Sequence, residues 1–327
     1  MYDDAFLERL ETRLRETLPQ WGLSPEAPLR LLTISENATF LGEDRNGAPI
    51  VFRVHRPGYH SRDEIRSELA WIQGLRADGV AATPEPLAMT DGDLLGGFED
   101  GDDWRDVVAF EFMSGREPTP GENLPAWFRT LGAITARLHG HVRAWAPPAA
   151  FRRKNWDFDA MLGDRPLWGD WRAGMGLDEA GRAVIQRASN LLRERTAAYG
   201  SEGRRYGLIH ADLRLANLLV DGDRLGVIDF DDCGFSWFMY DFAAAVSFME
   251  HEPFIPELQE AWLSGYATVS PVSADDVAMM PTFLLLRRIL LTAWVASRSE
   301  APMAQAMGVS YSVGTVELAD RYLMAHG

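Results

Sequence analysis

The chain of 327 residues is longer than one minimal core and shorter than a modular array, which points to two domains. Its 46% apolar and 24% charged residues lie near the average for soluble proteins and exclude a disordered or membrane-embedded chain. With 48 acidic against 32 basic residues, the net charge of −16 argues against sequence-independent binding to nucleic acid or an anionic membrane and leaves room for a cationic partner. A solvated acidic surface explains the same charge with no partner at all.

Cys233 is the single cysteine, which excludes an internal disulfide framework or a Cys-rich zinc site and suits a reducing compartment. The first residues lack the basic start and apolar core of a signal peptide, so the expected location is cytoplasmic. Leu7, Leu10, Leu14 and Leu18 recur at helical spacing and predict an amphipathic helix ending before Pro19. Strand-like runs follow at Leu29–Ile34 and Ile50–Val54, with a polar loop at 35–39 and an Asn46-Gly47 turn. Ser61-Arg62-Asp63-Glu64 fits a capping box, and Ile65, Leu69, Ile72 and Leu75 give the helix behind it an apolar stripe. Residues 78–106 read as loops and hairpins, and 107–113 as a further strand.

Gly115, Pro118, Pro120 and Gly121 mark the best linker. The expected division is 1–108, a hinge at 109–118, and 119–327. Beyond it, Trp127, Leu131, Ile134 and Leu138 predict a helix stopping at Gly140, and another spans 178–198. A strand-rich island covers 207–229, followed by helices near 241–250, 255–267 and 275–299. The most apolar run, Phe283–Ala296, is interrupted by Arg287 and Arg288, falls short of a bilayer span, and reads as a buried helix.

The island carries the chemistry. Leu218–Val220 and Leu225–Ile228 flank an Asp-Gly turn, a strong hairpin signal. Asn217 and Asp229 are equally spaced about Asp223, so the hairpin should bring both to its open end, with Asp212 one loop back. One amide and one carboxylate oxygen suit Mg²⁺ that completes its shell with water and phosphate oxygens. A further carboxylate, Asp212, can accept the proton of an alcohol attacking a phosphoryl group. His210, Asp212, Asn217 and Asp229-Phe230 meet in order the protein-kinase pattern of His, catalytic Asp, Asn and metal-binding Asp-Phe. Any one of these residues alone is more often a cap or a solvated charge. His210 is read as a positioner of backbone rather than a proton carrier.

The stretch Ile209–Asp232 resembles the aminoglycoside phosphotransferase and choline kinase family, small-molecule kinases with a protein-kinase-like fold. The pattern is His-x-Asp-x-x-x-x-Asn followed by Ile228-Asp229-Phe230-Asp231. Gly132–His139 and Tyr240-Asp241-Phe242-Ala243 are similar to that family's flanking helices. The whole pattern looks closest to its homoserine kinase type II or stress-response branch. The resemblance implies an α+β, two-lobed fold, with a small N-terminal antiparallel sheet lobe and a larger, mainly helical C-terminal lobe.

It further implies an ATP-dependent phosphotransferase moving the γ-phosphoryl group to a small-molecule hydroxyl on an aminoglycoside-like compound, amino alcohol or amino acid. Asp212 would be the catalytic base, and Asn217 and Asp229 would hold Mg²⁺. Glycine-rich phosphate loops are absent, and a polar loop takes their place, so Ser35, Asn37 and Thr39 are implied phosphate contacts. Arg53 corresponds to the phosphate-binding cation with Glu68 as its ion-pair partner. Glu111 and Met113 would meet adenine through backbone, and Ile228 would wall it.

Asp231 is open between metal, substrate and loop cap. Asp232 is a weaker candidate for the same roles, and Asp241 is read as a helix cap that holds the catalytic loop. Trp156, Asp157, Trp168, Trp171, Trp237 and Glu250 could line an acceptor cleft, although tryptophans in a helical lobe more often pack the core. A protein Ser/Thr kinase and a nucleotide-binding pseudokinase are the alternative readings.

Overall fold

A computed structural model describes residues 4–34, 37–298 and 302–327. By internal contacts the chain forms two compact units. The sheet unit comprises Met1–Gly115, Ala146–Arg153 and Gly226–Asp231, and the helical unit comprises Arg116–Trp145, Lys154–Leu225 and Asp232–Gly327. The expected contiguous division therefore meets a chain that returns twice to its first unit.

In the sheet unit, α1 (Asp4–Thr17) buries Leu10 and Leu14. The antiparallel sheet is built from β1 (Leu29–Ile34), β2 (Ala38–Glu43) and β3 (Pro49–Val54), then, after α2 (Arg62–Ala77), β4 (Pro86–Leu87), β5 (Gly96–Asp100) and β6 (Asp103–Glu111). The order is β1-β2-β3-β6-β4, with β5 also paired to β6. Phe40, Phe52, Val54, Val107 and Ala109 point from the strands into one core with Leu10, Leu14 and Leu18.

Two features differ from the reading of the sequence. β2 starts within the stretch expected to be a loop, because Ala38 and Phe40 alternate inward with period two. Residues 109–111 close β6 rather than open a connection. The Asn46-Gly47 turn is real: the Asp44 carboxylate accepts the amides of Asn46 and Ala48, and Gly47 takes φ 81°. The capping box is formed as well, with Glu64 accepting from the Ser61 amide at 2.8 Å and Ser61 from the Glu64 amide at 3.3 Å.

The helical unit contains α3 (Leu124–Ala144), α4 (Phe158–Leu162), α5 (Glu179–Tyr199), β7 (Tyr206–Ile209) and β8 (Leu218–Asp221). β9 (Arg224–Val227) follows, with Gly226 and Val227 already in the sheet unit, then β10 (Gly234–Trp237), α6 (Tyr240–Ala245), α7 (Ile255–Tyr266), α8 (Ala274–Ser297) and α9 (Pro302–His326), which is broken at Gly308, where φ is 50° and ψ −141°. β8 and β9 pair as a hairpin about Gly222, which has φ 63°.

Helix α3 does not stop at Gly140, where a side chain would meet open space; an isolated glycine costs a helix only about 1 kcal/mol. Gly132 of α3 and Gly265 of α7 are there for close approach. A methyl group on the first would run into the Trp262 carbonyl, and one on the second into the Arg129 carbonyl. Strand β10 was not legible in the sequence; it pairs antiparallel with β7, Gly234 opposite Ile209 and Trp237 opposite Tyr206. Helix α6 is shorter than expected, since the chain leaves helical geometry by Phe248 at φ 70°.

Helix α8 is long and apolar enough to cross a membrane by length and composition, but 72% of that window is buried inside the protein, as expected for a core helix. Its two arginines are buried too, each 2% exposed. Arg288 donates to the Glu250 carboxylate at 2.8 Å, the Tyr311 carbonyl at 2.8 Å and the Thr315 hydroxyl at 2.9 Å, tying α8 to α9.

Candidate active site

The catalytic-loop candidate lies in the helical unit, between β7 and β8. It leaves β7 through Ala211, whose φ of 66° places a non-glycine residue in the left-handed region at a cost of roughly 1–2 kcal/mol. Asp241, at the start of α6, holds that geometry. Its carboxylate accepts the Ala211 amide at 2.7 Å and the His210 amide at 3.3 Å. The same carboxylate meets His139 Nε2 at 3.0 Å, and His139 Nδ1 meets the Tyr266 hydroxyl at 3.0 Å. Asp241 and His139 have no exposed surface. The His210 ring accepts the Asp212 amide at 3.3 Å, a backbone-positioning contact.

Asp212 presents a carboxylate gripped from three sides. Oδ1 accepts from Arg287 Nη2 at 2.7 Å, and Oδ2 accepts from Asn217 Nδ2 at 2.8 Å and from Arg214 Nε at 3.2 Å. Burial would raise its pKa, but the Arg214 and Arg287 guanidiniums outweigh it and hold the group below the ordinary carboxylate value. Asp212 is therefore ionised at neutral pH and fixed in orientation. Asn217 spends its amide nitrogen on Asp212, which leaves its carbonyl oxygen as the end suited to a cation. Asp232 lies in this unit as well, its carbonyl fixed by Trp156 Nε1 at 2.8 Å and its charge felt at Arg287 and Tyr240.

The sheet unit carries a second cluster. Arg53 on β3 donates through Nη2 to both oxygens of Glu68, at 2.8 and 2.7 Å, and through Nη1 to Asp229 at 3.3 Å. Its guanidinium lies 5.3 Å from the Phe110 ring centroid. Burial lowers its pKa, but Glu68, Asp231 and Asp229 together push it up, so the charge is permanent. Glu68 points inward from α2 with no exposed surface, as its place beside Ile65 and Leu69 predicts. Asp229 adopts φ 61° with its side chain 45% exposed, a hard oxygen donor turned outward.

Its neighbour Asp231 does the opposite. It is buried, accepts from Asn37 Nδ2 at 2.8 Å, lies 3.4 Å from His60 and 3.6 Å from His55, and has its backbone carbonyl bound by Arg153. Of the roles left open for it, the bracing of its own loop is the one these contacts describe. The Asn37 carbonyl accepts the Arg56 amide at 3.1 Å, so its side chain is committed within the unit. Thr39 is half-buried on β2, opposite Arg53. Ser35 lies outside the described residues. Glu111 ends β6 with its amide bonded to the Glu85 carbonyl and its side chain exposed. Met113 and Ile228 are half-buried.

The tryptophans expected either to line a cleft or to pack the core are buried, and Glu250 is taken up by Arg288. Asn217 and Asp229 belong to different units, and among the described residues no group of three or more His, Cys, Asp or Glu side chains is arranged to hold a metal. Sequence reasoning missed Arg287, His55, His60 and Arg153. Two adjacent arginines inside an otherwise apolar helix were the available signal, since arginine is almost never buried without a partner.

His55 gives this cluster a pH signature. Burial, reinforced by Arg53, lowers its pKa well below the ordinary imidazole value of 6.5, with Asp231 opposing and His60 and Arg153 assisting. The unfolded chain then binds a proton near pH 6.5 that the folded chain does not, so the stability this group contributes is present above that pH and lost as pH falls below it. Unfolding followed between pH 7.5 and 5.5 is expected to show falling stability, and His55→Gln to remove up to about 1.4 kcal/mol per pH unit from the slope.

A small antiparallel-sheet unit and a larger helical unit are the parts of a phosphotransferase with a protein-kinase-like fold. The chain belongs to the phosphotransferase enzyme family, whose model matches residues 30–272. It is similar to a microcompartment-associated aminopropanol kinase of known structure, with 44% identity and a TM-score of 0.89 over 96% of this chain and 98% of that one. An amicoumacin kinase solved with AMP-PNP and Ca²⁺ shares the fold, at 21% identity and a TM-score of 0.77 over 97% and 94% of the two chains. The amicoumacin kinase of Bacillus subtilis is 24% identical over 86% of this chain and 83% of its own length. Proteins named homoserine kinase are also among the relatives. The chain is accordingly a phosphotransferase that acts on an alcohol group.

Proposed function

We propose that this chain is an ATP-dependent kinase that transfers the γ-phosphoryl group to the hydroxyl of a small amino alcohol. The observation that carries the reading is the Asp212 carboxylate, ionised and held by three donors on a loop that Asp241 pins. Its likeness to an aminopropanol kinase at 44% identity supports an amino alcohol over an aminoglycoside. Asp212 orients the acceptor hydroxyl and takes its proton as the oxygen attacks phosphorus. Arg53, permanently charged, aligns the phosphates of the nucleotide. Asn217 Oδ1 in the helical unit and the outward carboxylate of Asp229 in the sheet unit are each a hard oxygen donor of the kind Mg²⁺ takes, and the ion when bound would neutralise phosphate charge. Asp232, whose charge is felt at Arg287, is the carboxylate we assign to the acceptor's ammonium group.

The test is a screen of 1-amino-2-propanol, ethanolamine, homoserine, an aminoglycoside and a generic peptide for Mg²⁺-dependent consumption of ATP. An amino alcohol is expected to give the highest kcat/KM. Turnover confined to the peptide would replace this reading with a protein kinase, and turnover confined to homoserine would move the acceptor to an amino acid.

A further inference from the structure

Arg287 is the most heavily engaged side chain near Asp212, and the proposed role of Asp212 as base gives that engagement a meaning. Its guanidinium reaches from the middle of α8. Nε donates to the Ser247 hydroxyl at 2.9 Å, Nη1 to the Ala211 carbonyl at 3.2 Å and Nη2 to Asp212 Oδ1 at 2.7 Å, and its carbon lies 5.1 Å from the Trp168 ring centroid. Ser247 anchors it in the helical unit. The other two bonds grip the loop at once by main chain and by side chain, at the strained residue and at the carboxylate beside it. A lysine, with one compact ammonium group, cannot reproduce that fork.

A carboxylate offers about four lone-pair positions, two on each oxygen. Among the described residues, Oδ2 of Asp212 receives two donors, Asn217 and Arg214, and Oδ1 receives one, Arg287. Oδ2 is saturated. We infer that Arg287 is a positioning residue for phosphoryl transfer, and that by occupying one lone pair of Asp212 Oδ1 it turns the other into the site that receives the acceptor's proton. In that step the acceptor O–H bond breaks as its oxygen bonds to phosphorus, and the proton goes to Oδ1 while the phosphoryl leaving oxygen departs with ADP. The adjacent Arg288 reaches instead to Glu250, Tyr311 and Thr315, so the attachment of α8 to α9 does not rest on Arg287.

This inference rests on the reading of Asp212 as base, and two variants separate its charge from its geometry. Arg287→Lys keeps a cation and loses the fork. It is expected to lower kcat at least about 10-fold, toward the loss that roughly 1 Å of misplacement causes, with the KM values for ATP and acceptor within about 3-fold of wild type. Arg287→Met removes the charge as well as the fork, and is expected to lower kcat at least as far as the lysine variant, again with little change in either KM. In an Asp212→Asn background, Arg287→Lys should cost nothing further.

Wild-type kcat in Arg287→Lys overturns the inference, and so does a fall in kcat no larger than the loss of folded protein. If Arg287→Met does not fold, the lysine variant and the double variant decide the matter alone. Full activity in Asp212→Asn would instead remove the base itself, a different failure from an inactive Asp212→Asn beside an unaffected Arg287→Lys.

Discussion

Asp212→Asn is expected to lower kcat by about 10²- to 10⁴-fold, the span that general-base catalysis supplies, while nucleotide affinity measured by calorimetry changes little. Two effects combine. The amide cannot accept the acceptor's proton, and it cannot satisfy its neighbours. Arg287 donates to one carboxylate oxygen, and Asn217 and Arg214 donate to the other. Whichever way the new amide turns, its NH₂ group meets a donor, so at least one buried hydrogen bond is lost and the loop loosens. Asp212→Ser is the informative companion. It removes the base without presenting NH₂ to those donors, so an equal loss in both variants assigns the effect to proton transfer, whereas a much milder loss in serine assigns it to the misdirected amide. A fully active Asp212→Asn would remove Asp212 from the mechanism.

Glu250→Ala should be the most damaging single change to stability in the helical unit. The Glu250 side chain has no exposed surface and that of Arg288 is 2% exposed. Removing the acid leaves a buried guanidinium with the Tyr311 carbonyl, the Thr315 hydroxyl and the Tyr311 ring but without the Glu250 counter-charge, and takes the acceptor from the Phe248 amide at 3.0 Å and the Tyr311 hydroxyl at 3.3 Å. Breaking one half of such a pair costs about 3–5 kcal/mol. The thermal unfolding midpoint should fall by on the order of 10 °C for a chain of this size. Replacing both partners, as Glu250→Leu with Arg288→Met, should recover much of the loss, because the penalty comes from the stranded charge rather than from the missing attraction. A single variant as stable as wild type would show that water reaches Arg288.

What could be read from the sequence, and what could not, follows from how local each interaction is. The hairpin about Gly222, the capping box at Ser61 and the set His210, Asp212, Asn217 and Asp229 each sit within a short window, where spacing carries the information. Glu68 was named by the family resemblance, and its helical phase beside Ile65 and Leu69 was consistent with an inward side chain. Arg287 was not, because its bond to Asp212 spans 75 positions and nothing in the run around it names its partner. Asp231 could not be settled either: its partners Asn37, His55 and His60 come from an earlier third of the chain. Strand β10 escaped because Gly-Phe-Ser-Trp is too short to show a period, and it is a strand only because β7 pairs with it. In α9, small and polar residues dilute the apolar repeat that would have announced a helix.

The arginine at position 53 has a practical corollary. Of the 32 basic residues, 31 are arginine, and the one lysine is Lys154, in the helical unit. The sheet unit therefore contains no lysine ε-amine, and a nucleotide analogue carrying an amine-directed electrophile has no lysine to acylate or sulfonylate there. Such a reagent should leave every peptide of residues 4–115 unmodified by mass spectrometry, whereas an arginine-directed dicarbonyl has targets in that unit, with Arg53, 5% exposed and paired to Glu68, among the slowest to react.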